Sequence, residues 1–241
     1  MSYDALASCY DSFVGADYDD ISALISSVLY SFGISQGKIL DLACGTGEIT
    51  QRFCKLGFDI TGLDLSGNML LKAREKCSAK FIKGDMTDFS FKEKFSAVIC
   101  TLDSINHLES IDKIKKAFDC VYKCLDATGL FIFDMNSVYK HREILADNSF
   151  VYENSDCFLS WRNEYDEELA RVKIVLDLFA RQENGYKRES ESFFEYDYLL
   201  EDICSLLEEV GFNVIDISGD YDMEEINDDT ERYFIVAGKG Y

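Results

Sequence analysis

The chain has 241 residues, of which 47% are hydrophobic and 29% charged, and its formal net charge at pH 7 is -21. That length and composition suit a globular protein with an ample core. Nucleic acids and anionic membranes attract proteins through Lys and Arg, so the acidic surplus argues against both as partners. It favours a small ligand, and a cationic one in particular.

No apolar run reaches the ~18 residues that span a bilayer, and Met1–Asp4 begins no secretion signal. The nine cysteines form no Cys-x-x-Cys pair and the chain has only two histidines, so the clustered ligands of a structural zinc site are missing. We therefore expect a cytoplasmic protein with reduced cysteines and no metal, as a monomer or homodimer.

Hydrophobic periodicity predicts alternating helices and strands through the first half of the chain. Ile21, Ile25 and Leu29 recur at helical spacing, and Gly33 ends that helix. Further helices are predicted from the glycine turn to residue 56, from Ser66 onward, and over 111–125. Strands are predicted over 38–43, 59–63, 79–83, 95–101 and 130–134. This alternation is typical of a Rossmann-like, doubly wound, mainly parallel sheet.

The alternation stops after residue 136. Strands without intervening helices are predicted over 157–165, 170–180 and 186–195, with turns at 166–168 and 183–185. A helix over 197–210 and strands over 212–218 and 232–239 then complete a seven-stranded sheet. We expect residues 1–146 and 197–241 to form one α/β domain, and residues 147–196 to form an inserted antiparallel β-sheet.

The segment Leu40–Gly47 follows the first strand and carries the strongest signal. Gly45 and Gly47 allow a sharp turn close to a ligand. A dinucleotide site has a third glycine three residues later, where this chain has Thr50. Asp41 would repel the pyrophosphate of a dinucleotide, but it would attract the ammonium and sulfonium of S-adenosylmethionine. The charges therefore favour the methyl donor.

Carboxylates also end the next two predicted strands. Asp64 ends the second strand, where it can accept hydrogen bonds from ribose hydroxyls. Asp85 and Met86 follow the third strand and offer an acceptor for the adenine amino group and an apolar surface for its ring. Because parallel strands end at one edge of a sheet, we expect these side chains to share one site.

These motifs resemble those of class I S-adenosylmethionine-dependent methyltransferases. The resemblance covers residues 1–136 and is closest to small-molecule N-methyltransferases, such as those acting on nucleotide-linked aminosugars. The matching segments are Tyr10-Asp11, Asp41–Gly47, Leu63–Ser66, Gly84–Phe89 and Phe95–Leu108. The resemblance implies S-adenosylmethionine as methyl donor, S-adenosylhomocysteine as product, and no metal.

The resemblance also implies positions for the donor. Gly45 and its neighbours would hold the methionine part, Asp64 the ribose, and Asp85 and Met86 the adenine. The Leu102 carbonyl would receive the methionine amino group. The remaining residues expected at the donor are Tyr10, Tyr18, Asp41, Ala43, Gly47, Leu65 and Met69, of which the two tyrosines would close over it.

A sulfonium is already an activated leaving group, so transfer mainly needs two aligned reactants, and a base is optional. His107 is the best candidate base because histidine titrates near neutral pH, and Asp103 is a second candidate. A packing role for His107 and a solvated loop position for Asp103 are the alternatives. The insert would shape the acceptor pocket, with Trp161, Arg162, Tyr165 and Tyr196 as candidate substrate contacts.

The leading hypothesis is methyl transfer to a small molecule, at nitrogen. A protein or RNA methyltransferase acting with a partner, and a non-catalytic S-adenosylmethionine-binding regulator, are the alternatives. A dinucleotide oxidoreductase would share the architecture, but Thr50 and Asp41 oppose it. The chain has no proline, which excludes the Asn-Pro-Pro-Tyr and Pro-Cys motifs of base-methylating enzymes.

Overall fold

The computed structural model describes residues 17–240, which contain eleven strands and five α-helices. The strands are β1 (Lys38–Leu42), β2 (Asp59–Asp64), β3 (Lys80–Lys83), β4 (Phe95–Cys100), β5 (Leu125–Asn136), β6 (Ser149–Glu153), β7 (Cys157–Asp166), β8 (Arg171–Gln182), β9 (Gly185–Tyr196), β10 (Asn213–Gly219) and β11 (Arg232–Gly238). The helices are α1 (Tyr18–Ser31), α2 (Glu48–Lys55), α3 (Gly67–Lys76), α4 (Ile111–Cys124) and α5 (Leu200–Val210).

Seven strands form the larger sheet in the order β10-β11-β5-β4-β1-β2-β3. The five strands from β5 to β3 run parallel, while β11 pairs antiparallel with β5 and β10. Helices cover both faces, and this explains why β1 and β4 are apolar almost throughout. The predicted doubly wound, mainly parallel seven-stranded sheet is confirmed.

Two apolar clusters lie on opposite faces of this sheet. One cluster packs Phe118 of α4 and Leu207 of α5 against Phe131. The other packs Ile25 of α1 and Phe53 of α2 against the strands. The central strands are thereby fixed on both sides, and their carboxyl ends present the following loops on a rigid edge.

The second sheet is antiparallel, in the order β6-β7-β8-β9, which confirms the inserted antiparallel sheet. It has one strand more than predicted, because β6 is an edge strand whose residues lack a buried face and so give no alternating pattern. One face of the sheet is apolar, with Leu159, Ile174, Leu178 and Phe193 packed against Leu145.

Helix boundaries follow local signals that the sequence carries. The Ser66 hydroxyl accepts a hydrogen bond from the Met69 amide at 3.1 Å and so caps α3 as expected. Gly211 ends α5 with φ of 109°. A short π-helix over Lys140–Leu145 joins the two sheets. Across residues 17–240, no helix is both long and apolar enough to cross a membrane.

Candidate active site

A cavity of about 500 Å³ opens at the carboxyl ends of β1 to β4. Most residues predicted to bind the donor line it, namely Tyr18, Asp41, Ala43, Gly45, Asp64, Leu65, Met69, Asp85, Met86 and Leu102. Gly47 is not among the lining residues, and Tyr10 lies outside the described residues. The size is ordinary for a small-molecule site, and its location is where open α/β sheets bind ligands.

Asp41 faces this cavity from the end of β1 with only 2% of its surface exposed. The Thr50 hydroxyl, from α2, donates a hydrogen bond to its carboxylate at 2.5 Å. Burial raises the pKa of Asp41 to about 7, although the bond from Thr50 opposes the shift and the nearby charge of Asp64 adds to it. Thr50 thus supports the carboxylate, a role that the sequence pattern did not reveal.

The two turn glycines have separate tasks. Both adopt left-handed backbone angles, with φ of 51° at Gly45 and 76° at Gly47. A Cβ on Gly47 would lie 2.9 Å from the Cβ of Ala73, so Gly47 allows α2 to pack closely on α3. Gly45 lines the cavity and its amide donates to the Asp64 carboxylate at 2.9 Å.

Asp64 connects the loops after β1 and β2. Besides the bond from Gly45, it accepts one from the Ser66 amide at 2.7 Å. These bonds tie the Asp64 carboxylate to the glycine turn and to the residue that caps α3.

Asp85 follows β3 and lines the same cavity beside Met86. Its carboxylate accepts hydrogen bonds from the Thr87 amide and hydroxyl, both at 2.8 Å. Burial acts against ionisation, but the bonds from Thr87 outweigh it and lower the pKa of Asp85. Asp85 is therefore a charged acceptor at the far end of the row of strand-end carboxylates.

Leu102 and Asp103 follow β4 in an uncommon backbone conformation. Their φ angles are 59° and 52°, in the left-handed region that non-glycine residues rarely adopt. Leu102 lines the cavity. Asp103 forms an ion pair with Arg232 at 2.8 Å, and although burial opposes it, the Arg232 charge lowers the pKa of Asp103. A carboxylate held in this ion pair is a poor base.

Residues 39–129 match a family model described as a methyltransferase domain. The chain is 33% identical to a protein of Geobacillus sp. (strain WCH70), over 99% of this chain and 100% of that protein, whose name assigns it to the methyltransferases without a substrate. The crystal structure of an S-adenosylmethionine-dependent methyltransferase from Clostridium acetobutylicum ATCC 824 matches with a TM-score of 0.90 and 31% identity, covering 99% of each chain. The chain belongs to the S-adenosylmethionine-dependent methyltransferases.

A further relative is named for its substrate. The methyltransferase is 33% identical to dTDP-3-amino-3,4,6-trideoxy-alpha-D-glucopyranose N,N-dimethyltransferase of Streptomyces venezuelae, over 53% of this chain and 56% of that protein. The predicted resemblance to this family, including its aminosugar N-methyltransferases, is confirmed.

His107 lines the same cavity, beside residues of β9. Its Nδ1 lies 3.3 Å from the Phe194 carbonyl oxygen, and its ring meets Phe193 edge-on at 5.3 Å between centroids. A carbonyl oxygen only accepts hydrogen bonds, so Nδ1 is the donor and Nε2 carries the lone pair in the neutral ring. The methyltransferase therefore fixes the tautomer of this histidine through a backbone group of β9.

Asp103, His107 and Glu195 each place one potential metal-ligand atom within 4.8 Å of the others. Both carboxylates of this cluster already have partners. Asp103 pairs with Arg232, and Glu195 accepts a hydrogen bond from the side-chain amide of Asn136 at 3.0 Å.

The inserted sheet contributes to the cavity through β9 alone among its four strands. Ser192, Phe193, Phe194 and Tyr196 are lining residues, and Tyr196 is the one predicted substrate contact that reaches it. The three other predicted contacts lie on β7, which β8 separates from β9. Two strand spacings amount to about 10 Å, so β7 lies about that far from the strand that lines the cavity. The sequence offered one signal that β9 would line the cavity, because β9 is the strand that leads back into the α/β domain.

The three side chains of β7 have other partners. Trp161 donates to the Asn163 side chain at 2.5 Å, Arg162 pairs with Asp177 at 3.0 Å, and Tyr165 donates to Asp197 at 2.7 Å. None of the three is among the cavity-lining residues. The structure thus does not bring these three side chains to the cavity wall, and places them instead within the insert and at its junction with the domain.

A buried histidine joins the insert to the α/β domain. His141, fully buried, lies 2.8 Å from Asp197 and 3.1 Å from Glu195. Burial alone would lower its pKa, but the bonds to the two carboxylates raise the pKa of His141 to about 9. The imidazolium thus links both carboxylates at the end of β9, next to the cavity-lining Tyr196.

Proposed function

We propose that this enzyme transfers the methyl group of S-adenosylmethionine to a nitrogen atom of a small-molecule acceptor. The observation that carries the proposal is a single cavity with two unlike walls. One wall consists of strand-end carboxylates and backbone turns, and the other consists of His107 with aromatic residues of β9. The first wall suits a cationic nucleoside donor, and the second suits an acceptor.

The order of the strands gives the donor its direction. Because β4, β1, β2 and β3 are neighbours in that order, their ends form a row with a spacing of about 4.8 Å. The methionine part would lie against Asp41, Gly45 and the Leu102 carbonyl, the ribose against Asp64, and the adenine against Asp85 and Met86. In this arrangement the sulfonium would lie at the β4 end of the row.

His107 would act as the base on the acceptor side. Its Nδ1–H is committed to the Phe194 carbonyl, so Nε2 is the atom that can accept a proton from the acceptor ammonium or from the nitrogen that gains the methyl group. The carbon–nitrogen bond forms as the methyl–sulfur bond breaks, and S-adenosylhomocysteine leaves with the bonding electron pair.

Three features support nitrogen and a small acceptor. The aromatic rings of Phe194 and Tyr196 border the cavity and would stabilise an ammonium as it forms. The Streptomyces venezuelae relative is named for methylation of an amino group on a nucleotide-linked sugar. The acidic surface of this chain also disfavours RNA as acceptor.

The test uses S-adenosylmethionine labelled in its methyl group. The enzyme is incubated with a cell extract separated into a filtrate of small molecules and a retained fraction of protein and RNA. Label in an acid- and base-stable cationic product of the filtrate is expected, with a lower rate for His107→Gln. Label in the retained fraction, or in a base-labile ester, would contradict the proposal.

A further inference from the structure

Asp134, at the end of β5, lies behind the wall of the donor cavity. Its side chain is fully buried, with 0% exposure. Cys100, the last residue of β4, pairs with Phe133 in the parallel register. The loop that follows β4 therefore leaves the sheet directly beside Asp134.

Four hydrogen-bond donors converge on the Asp134 carboxylate. Oδ2 accepts from the Leu102 amide at 2.6 Å and from the Tyr221 hydroxyl. Oδ1 accepts from the Asp103 amide at 2.6 Å and from the Arg232 guanidinium. All the acceptor positions of the carboxylate are thus used, two by the loop and two by the segment between β10 and β11 and by β11 itself.

The two loop residues held in this way are those with left-handed backbone angles, Leu102 at 59° and Asp103 at 52°. That conformation is unfavourable for leucine, although aspartate tolerates it better, and for leucine it persists only where surrounding groups impose it. The paired amides on Asp134 impose it here, and they thereby set the direction of the Leu102 carbonyl at the cavity wall.

We propose that Asp134 is a positioning residue for the amino-acid part of S-adenosylmethionine, braced from outside the cavity by Tyr221 and Arg232. The proposal depends on the placement of the methionine amino group at the Leu102 carbonyl in the proposed function. Asp134 itself does not touch the donor. It acts by holding Leu102 in the conformation that presents its carbonyl.

Asp134→Asn tests this role because the amide replaces one acceptor oxygen with a donor that faces a backbone N–H. The affinities for S-adenosylhomocysteine and for 5′-methylthioadenosine, which lacks the amino-acid part, are measured by calorimetry. We expect about tenfold weaker binding of S-adenosylhomocysteine and less than a twofold change for methylthioadenosine. Equal weakening of both ligands, or of neither, would overturn the proposal.

Rescue provides a second readout. Glycine at position 102 keeps the carbonyl and adopts the left-handed angle without cost, so Leu102→Gly added to Asp134→Asn should recover affinity for S-adenosylhomocysteine. No recovery in the double variant would contradict the positioning role.

If Asp134→Asn does not fold, Tyr221→Phe removes one brace and leaves both loop bonds in place. Tyr221→Phe should weaken the binding of S-adenosylhomocysteine alone, by two- to threefold. The control is Tyr233→Phe, which should change the affinity for neither ligand, because Tyr233 packs against the apolar cluster on the opposite face of the sheet from Tyr221. Equal behaviour of the two tyrosine variants would overturn the proposal.

Asp64→Ala separates this proposal from the proposed function, and no acceptor is needed. Both ligands contain the ribose, so Asp64→Ala should weaken both. If it weakens neither, the donor placement itself is wrong. If it weakens both while Asp134→Asn weakens neither, only the role of Asp134 is wrong.

Discussion

The charge state of Asp41 should control donor binding near neutral pH. In the ligand-free enzyme the pKa of Asp41 is raised to about 7 by its burial. The ammonium and sulfonium of the donor favour the ionised carboxylate. Binding should therefore drive a proton off Asp41, and affinity should fall as the pH drops below 7.

The size of the effect follows from linkage. If the pKa falls to an ordinary carboxylate value or lower in the complex, affinity varies with the ionised fraction in the free enzyme. That fraction is about 0.9 at pH 8 and about 0.09 at pH 6, which gives about a tenfold loss, or about 1.4 kcal/mol. At pH 7, binding should release about half a proton.

Calorimetry in buffers of different ionisation enthalpy measures both the affinity and the protons released. Asp41→Asn is the matched control because it keeps the shape and removes the titration. It should bind more weakly at pH 8 and lose the pH dependence that Asp41 causes, leaving only that of the donor amino group. A dissociation constant that does not change between pH 6 and 8 in the wild type, or an equal slope in Asp41→Asn, would refute the reasoning.

Three further predictions follow from the site and its junction. Asp64→Ala should weaken S-adenosylmethionine by about 1–3 kcal/mol, since buried polar partners lose their acceptor; unchanged affinity in calorimetry would remove the ribose assignment. His107→Gln should lower turnover and leave donor affinity intact; equal turnover across the pH range would mean that His107 is not the base. Because its pKa is raised to about 9, His141 should stabilise the fold below pH 6.5 and lose that contribution as the pH rises through 9. The free energy of unfolding in urea, measured from pH 6 to 10, should show this loss in the wild type but not in His141→Gln. The same pH dependence in both proteins would contradict the role of His141.

Local chemistry was enough to predict the donor side of the cavity. The glycine turn, Asp41 and Asp64 each sit at a strand end, and parallel strands bring their ends to one edge whatever their order in the sheet. The same reasoning placed Asp85 at the cavity, whereas the position of Leu102 came from the family resemblance. Each of these signals lies within a short segment of the chain, so it can be recognised in a single sequence.

The acceptor side depends on contacts between distant segments. Asp103 pairs with Arg232, which lies 129 residues further along the chain, and no local pattern announces that ion pair. The choice of β9 over β7 as the cavity wall depends on how the inserted sheet meets the α/β domain. Aromatic residues on β7 looked equally suited in the sequence, and the strand order, which puts β8 between β7 and β9, is not visible there.

A crystal structure with S-adenosylhomocysteine bound tests the central claim most directly. We predict its amino group at the Leu102 carbonyl, its ribose hydroxyls at Asp64, its adenine between Asp85 and Met86, and its sulfur facing the side of the cavity that holds His107. A product molecule bound in the reverse direction, or outside this cavity, would contradict the account.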